Sequence, residues 1–316
     1  MSRIDSVSIL MIDVIGRASG SEVKKILVTG GSSPLGRSLV DALKNLGIDV
    51  TTVSRRNVLD QSIVTVDLAD SSSAIYLPDT YFDCLIHLAS YVPLDEPVSD
   101  WDLCWHNNVI GTINLLQWAE KRVGRIILAS SCAVYGRINR RVTSPLAECS
   151  ELTPDSNYAL SKYSQEQLVS AFGFSENIPV TIFRLGYIYG PHLPSSRVVS
   201  KILRQVVLGE NVVLVDPQTT GLNLIHQLDA VDYIIQSMNK SSGIYNLGSK
   251  GFLSLNDYYQ AVLKVLGKED EAVVEERSCE AGVTNWFDCS KIQKEFPEKC
   301  CLSLYQGIST MLNGLP

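Results

Sequence analysis

The sequence predicts an α/β fold in which helices cover both faces of a doubly wound parallel sheet. Three observations support this prediction. Short apolar runs alternate with stretches of helical periodicity, which is typical of strand–helix–strand units. A turn of small residues follows the first apolar run and begins a helix. The chain has 316 residues, of which 45% are hydrophobic, so it can bury a large α/β core together with a smaller lobe.

Residues 24–36, which read KKILVTGGSSPLG, contain a short apolar strand, a turn of small residues and the start of a helix. Such a turn lets backbone N–H groups approach a pyrophosphate, and the helix N-terminus adds unpaired donors and a favourable dipole. Gly30 and Gly36 occupy the outer positions of a G-x-x-G-x-x-G pattern, whereas Ser33 replaces the middle glycine. We therefore predict a dinucleotide site here, with a plain glycine turn as the alternative. The predicted contacts are Gly30, Ser32, Ser33, Pro34, Leu35 and Gly36.

The second strand, predicted for residues 48–54, ends at Ser54 and is followed by Arg55 and Arg56. An acidic residue at this place would bind the 2′-hydroxyl of the adenosine ribose in NAD. A guanidinium favours a 2′-phosphate instead, because it forms charge-assisted bidentate hydrogen bonds. Ser54, Arg55 and Arg56 therefore favour NADP over NAD, and a solvated basic turn is the alternative.

Further apolar strands are predicted at residues 63–68, 84–90 and 125–131, with a helix over 108–119. Their alternation with helical stretches indicates a parallel sheet that has helices on both faces. His87 lies inside one of these runs, and we interpret it as a core histidine rather than a catalytic one.

The candidate catalytic residues follow the strand that ends in Ser131, because open α/β sheets bind ligands at the carboxyl ends of their strands. Tyr158 and Lys162 are four residues apart on a predicted helix and therefore share one face. A phenol needs a pKa depression of about three units, or roughly 4 kcal/mol, to act as a base at neutral pH. A neighbouring ammonium and an oxidised nicotinamide supply much of that depression in a closed site. We predict that Tyr158 exchanges a proton with a substrate oxygen while Ser131 holds the same oxygen.

These motifs resemble those of the extended short-chain dehydrogenases/reductases of the NAD-dependent epimerase/dehydratase family. The resemblance covers about residues 24–316. It is carried by TGGSSPLG, VDLAD, IHLAS, NNVIGT, LASSCAVYG, NYALSK, RLGYIYGP, LIHQLDA, YNLGS and DCSKIQ. It implies that Ser131, Tyr158 and Lys162 are the catalytic residues. The implied cofactor contacts beyond the glycine turn are Asp67, Leu68, Leu88, Ala89, Ser90, Asn108, Ala129, Tyr158, Lys162 and Leu185.

The same resemblance implies a Rossmann-like dinucleotide-binding domain and a smaller, interleaved C-terminal α/β substrate lobe. It also implies a homodimer built on the helices that start near Asn108 and Tyr158. The expected boundaries are 1–22 for an N-terminal extension, 23–190 for the dinucleotide-binding domain with returns near 224–247, and 191–223 and 248–316 for the substrate-binding lobe.

Departures from the family pattern narrow the expected reaction. The family's 4,6-dehydratases carry an Asp-Glu pair where this chain has Cys132 and Ala133, and neither residue can act as a carboxyl acid or base. We therefore expect no dehydration. Cys132 is also out of register with the cysteine that some family reductases and epimerases use, so we interpret it as a packing residue.

The family's contacts to a nucleotide sugar's diphosphate also differ here. Tyr187 replaces an Asn, Leu222 replaces an Arg, and a later Arg falls at or beside Arg277. Losing one guanidinium removes about 1.5 to 3 kcal/mol per charged hydrogen bond. Arg197 and nearby cations could rebuild the clamp, or they form a solvated helix face. The candidate substrate contacts are Cys132, Ala133, Tyr187, His192, Arg197 and Arg277.

Composition excludes several other classes of protein. A net charge of −7 and a pI near 5.2 argue against nucleic acid or an anionic membrane as a partner. The eight cysteines show neither a C-x-x-C motif nor zinc-ligand spacing, so we expect no metal site and reduced thiols in the cytoplasm. The apolar segment 7–15 is short and interrupted by Asp13, and it predicts neither a secretion signal nor a membrane span.

Three functions are compatible with these residues. The first is a ketoreductase, an NAD(P)-dependent oxidoreductase acting on a nucleotide-linked sugar or a similar polar metabolite. The second is an NDP-sugar epimerase that keeps its cofactor bound. The third is a non-catalytic NADP-sensing protein, against which the intact Ser131, Tyr158 and Lys162 argue. We favour the ketoreductase, since hydride transfer with Tyr158 as proton donor needs no residue that the chain lacks.

Overall fold

A seven-stranded parallel sheet forms the centre of the protein in the computed structural model. The described residues are 25–55, 63–93, 100–136, 144–194, 196–240, 242–271, 274–278, 286–296 and 301–312. The strands of this sheet are β1 (Lys25–Thr29), β2 (Asp49–Ser54), β3 (Ile63–Thr65), β4 (Cys84–His87), β5 (Ile126–Ser131), β6 (Val180–Leu185) and β10 (Gly243–Leu247). Their order is β10-β6-β5-β4-β1-β2-β3, so the direction of strand addition reverses beside β1. Ligands of open α/β sheets bind at such a reversal, outside the carboxyl ends of the strands.

Helices cover both faces of this sheet, as the alternation of strands and helices predicts. On one face Ile26 of β1 lies in the cluster that contains Leu39, and on the other face Leu27 lies in the cluster that contains Leu115. Successive residues of a strand therefore pack against helices on opposite faces of the sheet, which confirms the doubly wound α/β fold. No helix in the described part of the chain is both long and apolar enough to cross a membrane. The helices are α1 (Pro34–Asn45), α2 (Trp101–Cys104), α3 (Gly111–Ala119), α4 (Asn157–Glu176), α5 (Val198–Leu208), α6 (Gln227–Ser237), α7 (Leu255–Leu266), α8 (Ser290–Glu295) and α9 (Leu304–Leu312).

The first helix, α1, begins directly after the glycine turn. The Ser33 hydroxyl caps it by accepting a hydrogen bond from Gly36 N over 3.0 Å, and Pro34 occupies its first position. Both residue types are favoured at these places, because they satisfy or remove otherwise unpaired N–H groups. The serine at the middle of the glycine pattern therefore fixes where the helix starts.

A second, smaller core lies beyond the carboxyl edge of the main sheet. Strands β7 (Tyr187–Tyr189) and β9 (Leu224–His226) pair with each other, as do β8 (Val212–Val215) and β11 (Val274–Arg277). Helices α5, α7 and α9 pack together around Leu203, which is completely buried. β10 pairs with β6 in the main sheet although it lies in the sequence between β9 and α7 of the small core. The residue boundaries of the two predicted domains remain a prediction.

The predicted helix over 108–119 begins earlier and is less regular than expected. Helix α2 leads into a π-helical segment, Trp105–Ile110, and only then into α3. The π-helical segment carries Asn108, whose side chain is completely buried. The sequence did not reveal this start, since the letters WHNNVI carry no apolar repeat of helical period.

Two predicted strands end earlier than expected, β3 at Thr65 and β4 at His87. After His87 the chain keeps one strand-like hydrogen bond, from Leu88 N to Thr29 O over 3.1 Å, before it enters the loop over the sheet edge. The apolar side chains of residues 88 and 89 line this loop rather than a strand, and periodicity does not separate the two cases.

Candidate active site

The glycine turn lies at the carboxyl end of β1, beside the reversal of strand order. Gly30 adopts a φ of +75°, and its N–H donates to Val53 O over 2.9 Å. A Cβ on Gly30 would lie 2.6 Å from Ala89 N, and a Cβ on Gly36 would lie 2.3 Å from Gly30 O. Both positions therefore require glycine. The turn and the N-terminus of α1 together fit the pyrophosphate of a dinucleotide.

Ser54 and Arg55 end β2 on the side of the turn where an adenosine ribose would lie. Ser54 is buried, and its hydroxyl donates to the Ser32 hydroxyl over 2.8 Å. The Arg55 guanidinium donates a short hydrogen bond to the side-chain oxygen of Asn107. This contact links the exposed cation to the π-helical segment. Arg56 lies outside the described residues.

Asp67 and Leu68 follow β3 at the edge of the sheet. Asp67 is exposed, and one carboxylate oxygen accepts from Ala69 N over 3.0 Å. Leu68 is buried, and its carbonyl accepts from Asn114 Nδ2 over 2.8 Å. These bonds fix the loop on which both predicted cofactor contacts lie.

Asn108 uses its whole carboxamide on other parts of the chain. Its oxygen accepts from Tyr91 N over 2.6 Å, and its nitrogen donates to Tyr91 O over 3.0 Å and to the Ser161 hydroxyl over 2.8 Å. The side chain therefore fixes the loop after β4, and its predicted contact with a cofactor stays a prediction. The predicted contacts on this loop are Leu88, Ala89 and Ser90, all half-buried.

Ser131 and Tyr158 meet at the carboxyl end of β5. Ser131 is the last residue of β5, and its hydroxyl accepts from Ala133 N over 3.1 Å. Tyr158 is the second residue of α4. The pKa of the Tyr158 phenol is raised, not depressed as predicted, because burial outweighs the hydrogen bond to the Ser131 side chain and the charge of Arg197, which both lower it. The predicted serine and tyrosine are therefore brought together.

Lys162 lies one turn further along α4 and is buried. Its ammonium donates to Ala129 O over 2.7 Å and to Gln165 Oε1 over 2.6 Å. Burial lowers the pKa of Lys162 to about 7, and the charge of Glu166 opposes this. An ammonium has three donors, so one remains for a cofactor or substrate oxygen.

Cys132 lies in a small apolar cluster with Val134 and Tyr135. Its thiol donates to Arg184 O over 3.1 Å, and burial raises its pKa well above the usual value. Such a thiol is neither an acid nor a nucleophile at neutral pH. Ala133 is half-buried next to it, while Ala129 is buried within β5 and Leu185 is buried as the last residue of β6.

The substrate side of the site differs most from the family pattern. Leu222 is buried in the small core and donates its N–H to Leu253 O over 2.6 Å, so it makes no polar side-chain contact with a ligand. Tyr187, by contrast, keeps 45% of its surface exposed at the start of β7. The guanidinium that Leu222 replaces is therefore lost from this position.

The remaining substrate candidates fall in different places. Arg197 is half-buried at the start of α5, its charge acts on Tyr158, and its guanidinium has no hydrogen-bond or ion-pair partner among the described residues. His192 is exposed with a φ of +63°. Arg277 is exposed on β11 and pairs with Glu275 over 2.8 Å. Of these three residues, Arg197 is the one whose charge acts on the pKa of Tyr158.

Sequence reasoning missed three polar residues that support the site, namely Asn107, Thr112 and Gln165. They lie on helices, where a single polar residue in the sequence does not indicate its role. Gln165 follows Lys162 by three residues, and that helical spacing was the one available clue. Across the described ranges, no group of three His, Cys, Asp or Glu residues could hold a metal ion.

This arrangement defines a dinucleotide-binding α/β fold with a Ser-Tyr-Lys site at its carboxyl edge. A model of the NAD-dependent epimerase/dehydratase family matches residues 26–248. The chain belongs to this family, which confirms the resemblance seen in the sequence and identifies the protein as an enzyme of the extended short-chain dehydrogenase/reductase type.

Two relatives extend over most of the chain. A Methanocaldococcus jannaschii protein, provisionally named UDP-glucose 4-epimerase, is 26% identical over 306 residues, covering 92% of this chain and 98% of that protein. The dTDP-D-glucose 4,6-dehydratase of Bos taurus is 26% identical over 303 residues, covering 88% and 82% respectively.

Solved structures share the fold at lower sequence identity. The UDP-glucose 4-epimerase of Thermus thermophilus in complex with NAD is 22% identical, with a TM-score of 0.78 over 92% of this chain and 98% of that chain. The UDP-glucuronic acid 4-epimerase of Bacillus cereus in complex with UDP-glucuronic acid and NAD is also 22% identical, with a TM-score of 0.78 over the same shares. At this identity the similarity establishes the fold.

Proposed function

We propose that this protein is an NAD(P)-dependent ketoreductase that acts on a keto carbon of a nucleotide-linked sugar. The observation that carries the proposal is the meeting of Tyr158 with Ser131 at the carboxyl edge of the sheet, with Lys162 one helical turn away. The absence of a carboxylate at Cys132 and Ala133 disfavours the dehydratases of the same family.

The proposed reaction divides the work among three side chains. When bound, the nicotinamide dinucleotide supplies the hydride. Tyr158 donates the proton to the carbonyl oxygen that becomes a hydroxyl. Ser131 donates a hydrogen bond to the same oxygen, and the Lys162 charge favours the tyrosinate that remains.

Arg197 is the residue that we propose for the anionic part of the substrate. Its charge lowers the pKa of Tyr158, and no described carboxylate neutralises it. A guanidinium in a half-buried position binds a diphosphate or a carboxylate by charge-assisted hydrogen bonds. Arg197 would thereby replace the charge lost at Leu222. Relatives named for UDP-glucose and dTDP-glucose reactions support a nucleotide sugar as the substrate class.

An NDP-sugar epimerase with a tightly bound cofactor is the second candidate. The Methanocaldococcus jannaschii relative, which matches 92% of this chain, supports it. An epimerase needs the same serine, tyrosine and lysine, because it oxidises and re-reduces one carbon. It additionally needs room for the keto intermediate to turn between faces.

One experiment separates the two candidates. The purified protein is incubated with UDP-glucose in the absence of added cofactor, and separately with a 4-keto sugar nucleotide and NADPH. Stoichiometric loss of NADPH with formation of the hydroxyl sugar supports the ketoreductase. Formation of a new epimer without net loss of NADPH supports the epimerase instead of the ketoreductase. If neither product forms, both candidate functions are contradicted.

We also propose that NADP is preferred over NAD and that the protein forms a homodimer through α3 and α4. Ser54 and Arg55 at the end of β2 support NADP, although the solved relatives above contain NAD. Exposed apolar side chains at Leu103 on α2, which leads through the π-helical segment into α3, and at Phe174 on α4 support the dimer. Sedimentation of wild type and of a Phe174→Asp variant tests it, with the variant expected to be monomeric.

A further inference from the structure

A buried chain of polar side chains leads to Lys162, and the proposed reaction uses only this last member. Its members come from four elements and each is at most 2% exposed. This chain of hydrogen-bonded side chains leads from the end of β1, just before the glycine turn, across β4 and α3 to α4. Its members are Thr29, His87, Thr112, Gln165 and Lys162.

Gln165 is the link between this chain and the lysine. Its carboxamide oxygen accepts from Lys162 Nζ over 2.6 Å, and its nitrogen donates to Thr112 Oγ1 over 2.7 Å. Thr112 Oγ1 uses its own proton toward Asn108 O over 2.6 Å, so it can only accept from Gln165. The carboxamide is therefore held in one orientation, with its oxygen toward the ammonium.

His87 completes the chain as a neutral residue. Its Nε2 lies 2.9 Å from Thr112 Oγ1 and its Nδ1 lies 2.7 Å from Thr29 Oγ1. His87 Nε2 also lies 3.2 Å from Gln165 Nε2, so this ring nitrogen contacts both Thr112 and Gln165. Burial and the charge of Lys162 lower the pKa of His87 to about 3, so the ring carries no charge at neutral pH.

Glu166 is the carboxylate among the described residues whose charge acts on Lys162, and it is already paired with a cation. Glu166 forms a bidentate pair with Arg184, whose closest contact is 2.8 Å, and accepts from the Ser130 hydroxyl over 2.5 Å. Neutral groups, the Ala129 carbonyl and the Gln165 carboxamide, are the hydrogen-bond acceptors that touch the ammonium among the described residues. The cost of burying the Lys162 charge is therefore largely uncompensated by an opposite charge.

We propose that Gln165 is a positioning residue, whose neutral carboxamide fixes where the Lys162 ammonium lies and how firmly its charge is held. The consequence for catalysis rests on the proposed function, because Lys162 acts through Tyr158. A carboxylate at position 165 would hold the proton on Lys162 more firmly. An apolar side chain there would leave the ammonium with one acceptor fewer.

The test follows the titration of Lys162 in the absence of substrate. Protein labelled with ¹³Cε-lysine is titrated by NMR, and the Lys162 signal is assigned with Lys162→Met. Gln165→Glu is expected to raise the Lys162 midpoint by about 1 to 3 pH units, as an opposite charge in contact does. Gln167→Glu makes the same chemical change two residues further on the exposed face of α4 and is expected to leave the midpoint unchanged.

Gln165→Met gives a second measurement that adds no buried charge. It is expected to lower the Lys162 midpoint and to move the tyrosinate absorbance of Tyr158, measured as the difference from Tyr158→Phe, to higher pH. Folded Gln165→Glu and Gln165→Met proteins that titrate like wild type would overturn the proposal. If Gln165→Glu does not fold, Gln165→Met alone decides. Since no substrate is used, lack of turnover in the wild type counts against the proposed function and leaves this result unaffected.

Discussion

The two sides of the cleft follow the family pattern to different degrees. On the cofactor side, Gly30 and Gly36 are each enclosed by backbone atoms less than 3 Å from any added Cβ. On the substrate side, Leu222 has replaced a cation and joined the small core, while Tyr187 is exposed. A site made from backbone contacts tolerates few side chains, whereas a site made from side chains can change its ligand by substitution. The reaction chemistry is therefore easier to assign than the substrate.

The reacting pair at the border of the two sides gives the largest expected effect. Tyr158→Phe removes the proton donor and keeps the ring, so kcat for reduction of a 4-keto sugar nucleotide should fall about 100- to 10,000-fold. Tyr163→Phe on the same helix, in the partly buried layer beside the Cys132 cluster, is the matched control and should keep full activity. Cofactor affinity, measured by fluorescence titration, should change little in either variant.

Unchanged turnover in Tyr158→Phe would show that Tyr158 is not the catalytic proton donor. A cellular effect that also survives this variant would favour the third possibility, an NADP-sensing protein without turnover. Loss of turnover with unchanged cofactor binding would exclude that possibility.

The substrate side is tested by Arg197→Gln. Loss of a guanidinium that bonds an anion costs about 1.5 to 3 kcal/mol, so KM for the nucleotide sugar should rise roughly 10- to 150-fold. kcat at saturation should change less, because Arg197 is proposed to bind the substrate rather than the reacting oxygen. Arg204→Gln, an exposed cation on the same helix, is the control. Equal KM values for both variants would place the anion elsewhere in the cleft.

The cofactor side is tested by Gly36→Ala. The added Cβ would lie 2.3 Å from Gly30 O, so the turn and α1 must move apart. We expect at least about a tenfold increase in the Kd for NADPH, or about 1.4 kcal/mol, together with a lower melting temperature. Gly251→Ala places a Cβ where no atom lies within 4 Å and should bind as wild type does. A Gly36→Ala protein with wild-type affinity would show that the turn does not hold the pyrophosphate.

These tests also separate what the sequence could predict from what it could not. The sheet, the helix α1 after the glycine turn and the approach of Ser131 to Tyr158 follow from periodicity and from the ends of strands, which are local signals. The partners of Lys162 do not follow. In the sequence Gln165 is a single polar residue on a helix, and its contact with Thr112 joins residues 53 positions apart. Burial of Leu222 likewise depends on the packing of the small core.

The smallest expected effect concerns the end of β2, where the cofactor side uses side chains. Arg55→Asp replaces a cation by an anion, so it should repel a 2′-phosphate and bind a 2′-hydroxyl. We expect NADPH to bind wild type at least about tenfold more tightly than NADH, a gap of about 1.4 kcal/mol, and Arg55→Asp to reverse this preference.

Asn107→Ala sharpens this last measurement, because it keeps the Arg55 charge and removes the hydrogen bond that orients the guanidinium. A bidentate phosphate contact depends on orientation as well as on charge. The Asn107→Ala ratio of NADPH to NADH affinity should therefore fall between those of wild type and Arg55→Asp. If all three proteins bind the two cofactors equally, Arg55 points to solvent. The end of β2 would then be as free to vary as the substrate side, and the difference between the two sides would be confined to the glycine turn.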